Sequence, residues 1–91
     1  MTVSLEEAKL YLRVDGDEEN TLITQFILAA EDICEGVLRY PLTEFVQTPE
    51  TVKQAILYVV ANLYEKREAV DMKEVLSVVI RLLSSYRRDG W

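Results

Sequence analysis

Apolar residues recur every three or four positions in four separate segments of the chain, which is the spacing of amphipathic α-helices. The first segment opens at Ser4, where Ser4 and Glu7 have the composition of a capping box. Val3 can pack on Ala8 as a hydrophobic staple beside that cap. Gly16 predicts the end of the segment, because glycine readily takes the left-handed conformation that closes helices. The chain is therefore predicted to begin with a short capped helix.

The second segment is the longest and carries the widest apolar stripe. Asp17 is its predicted N-cap, and Pro41 predicts its end because the residue before a proline avoids the helical region. Two lines of apolar residues share this segment: Leu22, Phe26, Ala30, Ile33 and Val37 form the first, and Ile23, Ile27, Cys34 and Leu38 widen it. A stripe this wide predicts a central helix that several others touch.

A connector and two further helices complete the pattern. Residues 42–47 are predicted to be a partly extended connector. Thr48 is expected to cap the third helix, with Pro49 in its first turn. Asp71 with Glu74 is expected to cap the fourth. The core face of the third helix is predicted to consist of Val52, Ile56, Val59, Leu63 and Tyr64.

The predicted fourth helix is apolar on more than one face. Its apolar residues are Val75, Leu76, Val78, Val79, Ile80, Leu82 and Leu83. A helix that is apolar nearly all round is buried, and in a chain of 91 residues this favours burial by a partner subunit. The run Val78–Ile80 is alternatively typical of a strand, but Arg81 and the leucine pair that follows favour a helix.

These segments predict an all-α fold, a compact bundle of about four helices with a short irregular connector around residues 41–48. The whole chain, residues 1–91, is expected to be a single domain, because its length suits one core and 49% of its residues are apolar. Its longest uncharged run, Gln54–Tyr64, is shorter than the roughly 20 residues that a membrane span needs. We therefore expect no membrane partner.

The formal net charge is −6, so the chain lacks the basic surface on which a duplex-DNA reader depends. The charge is also uneven: residues 1–50 hold eleven acidic and three basic residues, whereas residues 51–91 hold five and seven. Two interpretations stay open. The asymmetry is ordinary scatter, or one end of a subunit meets the oppositely charged end of a neighbour.

The residues that usually carry catalysis or bind metals are missing. There is no histidine, which removes the commonest general base, the usual catalytic triads and most zinc sites. The lone Cys34 is predicted to be a small core residue. A calcium loop beginning at Asp15 would need glycine where Asn20 stands and glutamate where Phe26 stands. We predict no cofactor, no metal and no enzymatic activity.

Two weaker chemical hypotheses concern acidic pairs and arginines. The pairs Glu31–Glu35 and Glu65–Glu68 are predicted to lie on solvated helix faces rather than to do acid–base work. Small helical mutases of the chorismate type use converging arginines, for which this chain offers Arg13, Arg39, Arg67 and Arg81. That fold needs a very long first helix, however, and Gly16 interrupts this one early.

The C-terminal end is the part of the sequence most typical of a contact surface. Arginines and aromatic residues are enriched in protein interfaces because they bury area and keep a polar group. The candidate interface with another subunit or protein comprises Val75, Val79, Tyr86, Arg87, Arg88 and Trp91. The alternative is a frayed basic end favoured by the helix dipole, and contact with a phosphate backbone is a third, weaker possibility.

Several of these segments resemble, in order and spacing, the head–tail connector family of tailed bacteriophages, the gp6-like and gp15-like adaptors. The opening helix from Leu5 to Val14 and the acidic turn from Asp15 to Glu19 are similar to the start of that family. The ending Tyr64-Glu65-Lys66-Arg67-Glu68 is similar to its Tyr-x-x-Arg-Glu motif, and the closing run Leu82-Leu83-Ser84-Ser85-Tyr86-Arg87 to its Leu-Leu-x-x-Tyr-Arg ending. The Val-rich segment between Glu68 and Leu82 departs from the looser stretch that is common there.

The resemblance implies a structural protein of a phage or prophage, made in the bacterial host cytoplasm and located in the neck of the virion. Its subunits would form a homo-oligomeric ring beneath the portal of the filled head, extend the DNA channel, and dock the next connector or stopper protein. Contact with packaged DNA would be transient and non-specific. The alternative is a small helical adaptor or regulatory protein that acts as a monomer or dimer.

Overall fold

The computed structural model describes residues 2–87, and the predicted all-α fold is confirmed over that range. No strand occurs in it, so the run Val78–Ile80 is helical. A short 3₁₀ helix, Leu42–Glu44, lies in the predicted connector. The four α-helices are α1 (Leu5–Leu12), α2 (Asn20–Leu38), α3 (Glu50–Glu65) and α4 (Met72–Leu83).

Two of the predicted N-terminal caps are confirmed. The Ser4 hydroxyl accepts a hydrogen bond from the Glu7 amide at 3.0 Å, and the Glu7 carboxylate accepts one from the Ser4 amide at 3.0 Å. The Asp71 carboxylate accepts a hydrogen bond from the Glu74 amide at 3.2 Å. Both caps satisfy amide groups that the first turn of a helix leaves without partners.

The other two predicted caps are wrong. Helix α2 begins after Glu19, because the carboxylate of Asp17 is held instead by the ammonium group of Lys9 at 2.9 Å. Helix α3 begins after Pro49, and no side chain caps it, so Thr48 lies one residue too early. In both cases the sequence supplied a suitable residue type, but the capping position lies further along the chain, by two residues at α2 and by one at α3.

The predicted stops at Gly16 and Pro41 are also displaced, since α1 and α2 end at arginines in the left-handed conformation. Arg13 has a φ of 62° and Arg39 a φ of 71°, which are backbone angles that residues other than glycine rarely adopt. At the end of α1 the Val14 amide donates to the Lys9 carbonyl at 2.9 Å, which closes the last turn. Helix α1 therefore ends four residues before Gly16, and α2 ends three residues before Pro41.

Helix α2 is the centre of the bundle, as its wide stripe predicted. It packs against the other three helices, and one cluster of buried residues takes members from all four. The fully buried line on α2 is Ile23, Ile27, Ala30, Cys34 and Leu38. Leu22, Phe26, Ile33 and Val37 are only partly buried, so the stripe is centred about one residue later than the spacing first suggested.

Helix α3 supplies the largest buried surface opposite α2. Its buried residues are Val52, Ala55, Ile56, Leu57, Val59 and Val60, while Leu63 and Tyr64 pack at the edge of the core. Residues 42–47 form the irregular connector between α2 and α3. Leu42, which is 5% exposed, anchors that connector to the core.

Candidate functional site

Val75 and Val79, two members of the predicted interface, lie in the core of the subunit itself. Val75 is 1% exposed and Val79 is fully buried, and with Leu83 they form the face of α4 that packs on α2 and α3. The expectation that a partner buries them is therefore corrected for the conformation described. The physical reason is that α2 and α3 leave an apolar groove open, and α4 fills it.

Tyr86 lies in an aromatic cluster that we define as Tyr40, Phe45 and Tyr86. The hydroxyl of Tyr40 donates a hydrogen bond to the main-chain carbonyl of Tyr86 at 2.5 Å. Phe45 lies between the two tyrosine rings, with ring centroids 5.6 Å from Tyr40 and 6.1 Å from Tyr86, in edge-to-face geometry. The cluster ties Tyr86 to the end of α2 and to the connector between α2 and α3.

The remaining members of the predicted interface follow this anchor. Arg87 is exposed and is the last residue described. Arg88 and Trp91 lie outside the described residues. Tyr86 is therefore held beside the connector between α2 and α3, and the role of the C-terminal residues in contacting the portal or a neighbouring subunit remains a prediction.

Helix α4 has a second apolar face, which we call the α4 stripe: Met72, Leu76 and Ile80. The three residues are four positions apart, so they lie one above another along the helix. Met72 is 37% exposed, Ile80 is 39% exposed, and Leu76 is partly buried. Lys73 and Arg81, each the residue after a member of this stripe, are exposed on its solvent side, and so is Glu74. The excess apolar content of α4 is thus divided between a buried face and an exposed one.

A second uncovered surface, which we call the acidic cleft, lies on α2 and beside the connector. It encloses about 560 Å³ and is lined by Thr2, Leu28, Glu31, Asp32, Glu35, Leu42 and Thr43. Leu28 is 50% exposed at its edge. The charged groups that line it are all acidic, so the cleft combines an apolar edge with a negative rim.

Two of its acids are not simply solvated, which corrects the prediction for the Glu31–Glu35 pair. The carboxylate of Glu31 accepts hydrogen bonds from the amides of Thr2 at 2.6 Å and Val3 at 3.3 Å. The carboxylate of Glu35 accepts one from the amide of Leu42 at 2.7 Å. These acids fasten the N-terminal segment and the connector to α2. Glu65 and Glu68, by contrast, are exposed as predicted.

The Tyr-x-x-Arg motif at the end of α3 holds the start of α2. The Tyr64 hydroxyl donates to the Glu19 carboxylate at 2.5 Å, and the Arg67 guanidinium donates to its other oxygen at 2.7 Å. Arg67 also lies 4.8 Å from the centre of the Tyr64 ring. The hydrogen bond from Tyr64, followed by that from Arg67, lowers the pKa of Glu19. Sequence reasoning identified this motif without its partner, since Glu19 is 45 residues away from Tyr64.

The described residues do not form a catalytic or metal-binding site of the kinds considered above. Among residues 2–87 no group of acids, cysteine and histidine is placed to hold a metal ion. Burial raises the pKa of the Cys34 thiol to about 12, so it is a poor nucleophile. Arg13 and Arg67 line separate clefts, and neither cleft has a second arginine, which counts against the mutase hypothesis.

Leu28 and Ile80 are among the exposed apolar residues that the sequence did not single out, together with Leu10, Val46 and Met72. Leu28 lies on the side of α2 opposite the buried line, among Asp32 and Glu35, and a helical wheel centred on Ile27 would have placed it there. Ile80 was counted with the apolar content of α4 as a whole. In the part of the chain that the structure describes, no helix is long and apolar enough to cross a membrane.

Comparison with known protein families gives one match, which covers residues 2–87 and therefore all four helices, the Tyr64–Arg67 motif and the aromatic cluster. Neither the search of curated proteins nor that of solved structures found a match. The matching family is described as the phage gp6-like head–tail connector proteins. With nearly its whole length matched, the chain belongs to the phage gp6-like head–tail connector family.

Proposed function

We propose that this chain forms a homo-oligomeric ring beneath the portal of the DNA-filled head, extends the DNA channel and docks the next connector or stopper protein. The observation that carries the proposal is the family match over residues 2–87. The compact helical subunit supports it, because a ring needs a rigid unit that presents fixed surfaces to two neighbours. The source is a phage or a prophage, and the protein is made in the bacterial host cytoplasm before it enters the virion.

The charge of the subunit supports a role next to DNA that does not involve holding it. A net charge of −6 repels phosphates, so a channel wall made of such subunits lets DNA slide. A basic wall would bind the same backbone and release counterions. Contact with packaged DNA is accordingly proposed to be transient and non-specific.

The contact with the portal is proposed to involve the C-terminal end. Tyr86 fixes that end to the aromatic cluster, and the exposed Arg87 follows it directly. A basic and aromatic segment anchored at one end suits docking against another protein, since arginine and aromatic side chains dominate the energy of many interfaces. Arg88 and Trp91 belong to the same proposed contact.

Deletion of the gene from the phage, or from an inducible prophage, tests the role directly. We expect DNA-filled heads without tails in electron micrographs, restored to complete virions by the wild-type gene supplied in trans. Complementation with Arg87→Glu should fail or be reduced if the C-terminal end contacts the portal. Mass spectrometry of purified virions should detect the chain in wild-type particles. Normal, infectious virions that lack the protein would exclude the proposed function.

A further inference from the structure

Among the exposed surfaces of the subunit, the α4 stripe and the acidic cleft are complementary in chemistry. The α4 stripe is apolar and bordered by cations, whereas the acidic cleft has an apolar edge and a negative rim. Apolar side chains that stay in contact with water at adjacent positions on a helix commonly mark a surface that another protein covers. The question is which molecule covers each of them.

The cations beside the α4 stripe are available for an external contact. No ion pair within residues 2–87 engages Lys73 or Arg81. The guanidinium of Arg81 donates one weak hydrogen bond, 3.4 Å long, to the carbonyl of Ser77 on the preceding turn. Its other donors point to no acceptor in the described part of the subunit, so a planar group with free donors stands next to Ile80.

The acidic cleft is available in the same way. Leu28 is half exposed, and Asp32 lies one helical turn further along α2, with no hydrogen bond or ion pair inside residues 2–87. Glu31 and Glu35 each bind main-chain amides, yet they add their negative charge to the rim. No lysine or arginine lines the cleft to offset it.

We propose that the α4 stripe of one copy of this chain packs into the acidic cleft of a second copy, with Ile80 on Leu28 and Arg81 beside Asp32. Charge complementarity selects the occupant, since the cationic border of one surface matches the acidic rim of the other. The contact must form between copies, because no residue of α4 lines the cleft of its own subunit. It also accounts for the acidic and basic halves of the sequence.

This contact is heterologous, and its geometry follows from that. Each copy uses one surface to hold the preceding copy and the other to hold the following one, so the assembly closes into a ring or extends as a filament. The inference rests on the proposed ring and names the surfaces that build it. The stripe has only three apolar side chains, so isolated copies associate weakly, and a portal strengthens the assembly by raising their local concentration.

Sedimentation velocity of the full chain, up to millimolar concentration at low salt, tests the contact. Wild-type protein should self-associate in a salt-sensitive manner. Arg81→Glu alone and Asp32→Arg alone should each weaken association by about tenfold or more, because like charges then face each other. An equimolar mixture of the two variants should recover association, since every contact between unlike subunits again joins opposite charges. Leu28→Ala and Ile80→Ala should weaken it without altering its salt dependence.

Two matched controls carry the same charge changes at exposed positions away from both surfaces, Lys66→Glu and Glu68→Arg, and should associate like wild type. Circular dichroism melts establish that every variant is folded. Wild-type protein that stays monomeric throughout the range, or Arg81→Glu and Asp32→Arg variants that associate normally, would overturn this contact. Neither result bears on the connector role, because that role is tested by the composition of virions and by the tailless heads of the deletion mutant. Absence of the protein from virions would refute the connector role but would not change the result of the self-association measurement.

Discussion

Replacement of Leu83 by alanine tests whether α4 belongs to the core of the individual subunit. Leu83 is fully buried at the end of α4, beside the groove formed by α2 and α3. If a partner rather than the subunit itself buried this face, the substitution would destabilise only assembled protein. Leu10→Ala is the matched control, because the same atoms are removed from a residue that is 82% exposed on α1.

The expected magnitudes follow from burial. Leucine to alanine removes three carbons, and at about 0.8 kcal/mol for each buried carbon the loss at Leu83 is about 2.4 kcal/mol, rising toward about 5 kcal/mol if the cavity does not close. At Leu10 the buried fraction is small, so the same change costs about 0.4 kcal/mol. A domain of this size has a free energy of unfolding of about 5–14 kcal/mol, so a loss of about 2.4 kcal/mol leaves Leu83→Ala folded at room temperature, whereas a loss near about 5 kcal/mol would consume the whole margin of a subunit at the low end.

Thermal unfolding followed by circular dichroism separates the two cases. One kcal/mol shifts the melting temperature of a domain of this size by about 4–8 °C, so Leu83→Ala should melt at least about 10 °C below wild type and Leu10→Ala within about 3 °C of it. Both shifts should be independent of protein concentration in the dilute range, where copies are separate. A Leu83→Ala shift as small as that of Leu10→Ala, or one that appears only at high concentration, would refute the assignment of α4 to the subunit core.

Three further predictions concern local contacts. Glu19→Gln should lower the melting temperature at neutral pH more than Glu18→Gln does. Because the folded-state pKa of Glu19 is below its ordinary value of 4.5, the difference between the two variants should persist above about pH 4.5 and vanish as acid protonates the wild-type carboxylate. A difference between the variants that grows in acid would contradict this reasoning. The Cys34 thiol should be inert to a thiol-specific reagent until denaturant unfolds the chain, and rapid labelling of native protein would show that the core is open. Tyr40→Phe should reduce the free energy of unfolding by about 0.5–1.5 kcal/mol and speed hydrogen exchange near Tyr86, whereas unchanged exchange would remove the anchoring role of the aromatic cluster.

The division of α4 into two apolar faces has a consequence for assembly. A subunit whose fourth helix needed a partner would fold only in the ring, whereas Val75, Val79 and Leu83 give this helix a place in the isolated subunit. The α4 stripe is therefore not needed for folding and remains available for a contact with another molecule. In the proposed ring, the subunits would therefore be folded before they assemble.

The sequence by itself determined the number of helices, their order and the class of the fold, because periodicity and capping are local properties. The Ser4 box and the Asp71 cap were predicted from residues three positions apart, and they occur as predicted. The absence of histidine and the charge of −6 were likewise decisive without coordinates, since they limit chemistry wherever the residues lie.

Only the tertiary structure decided which apolar residues are core and which are surface. Val79 and Ile80 are neighbours in sequence with similar hydrophobicity, yet one is fully buried and the other is 39% exposed, because the groove between α2 and α3 admits one face of α4. The partners of Glu19 and Glu31 were equally hidden, since each bond joins residues nearly 30 or more positions apart. Periodicity gives the direction in which a side chain projects from its own helix. The packing of the other helices determines whether that side chain contacts the core or the solvent.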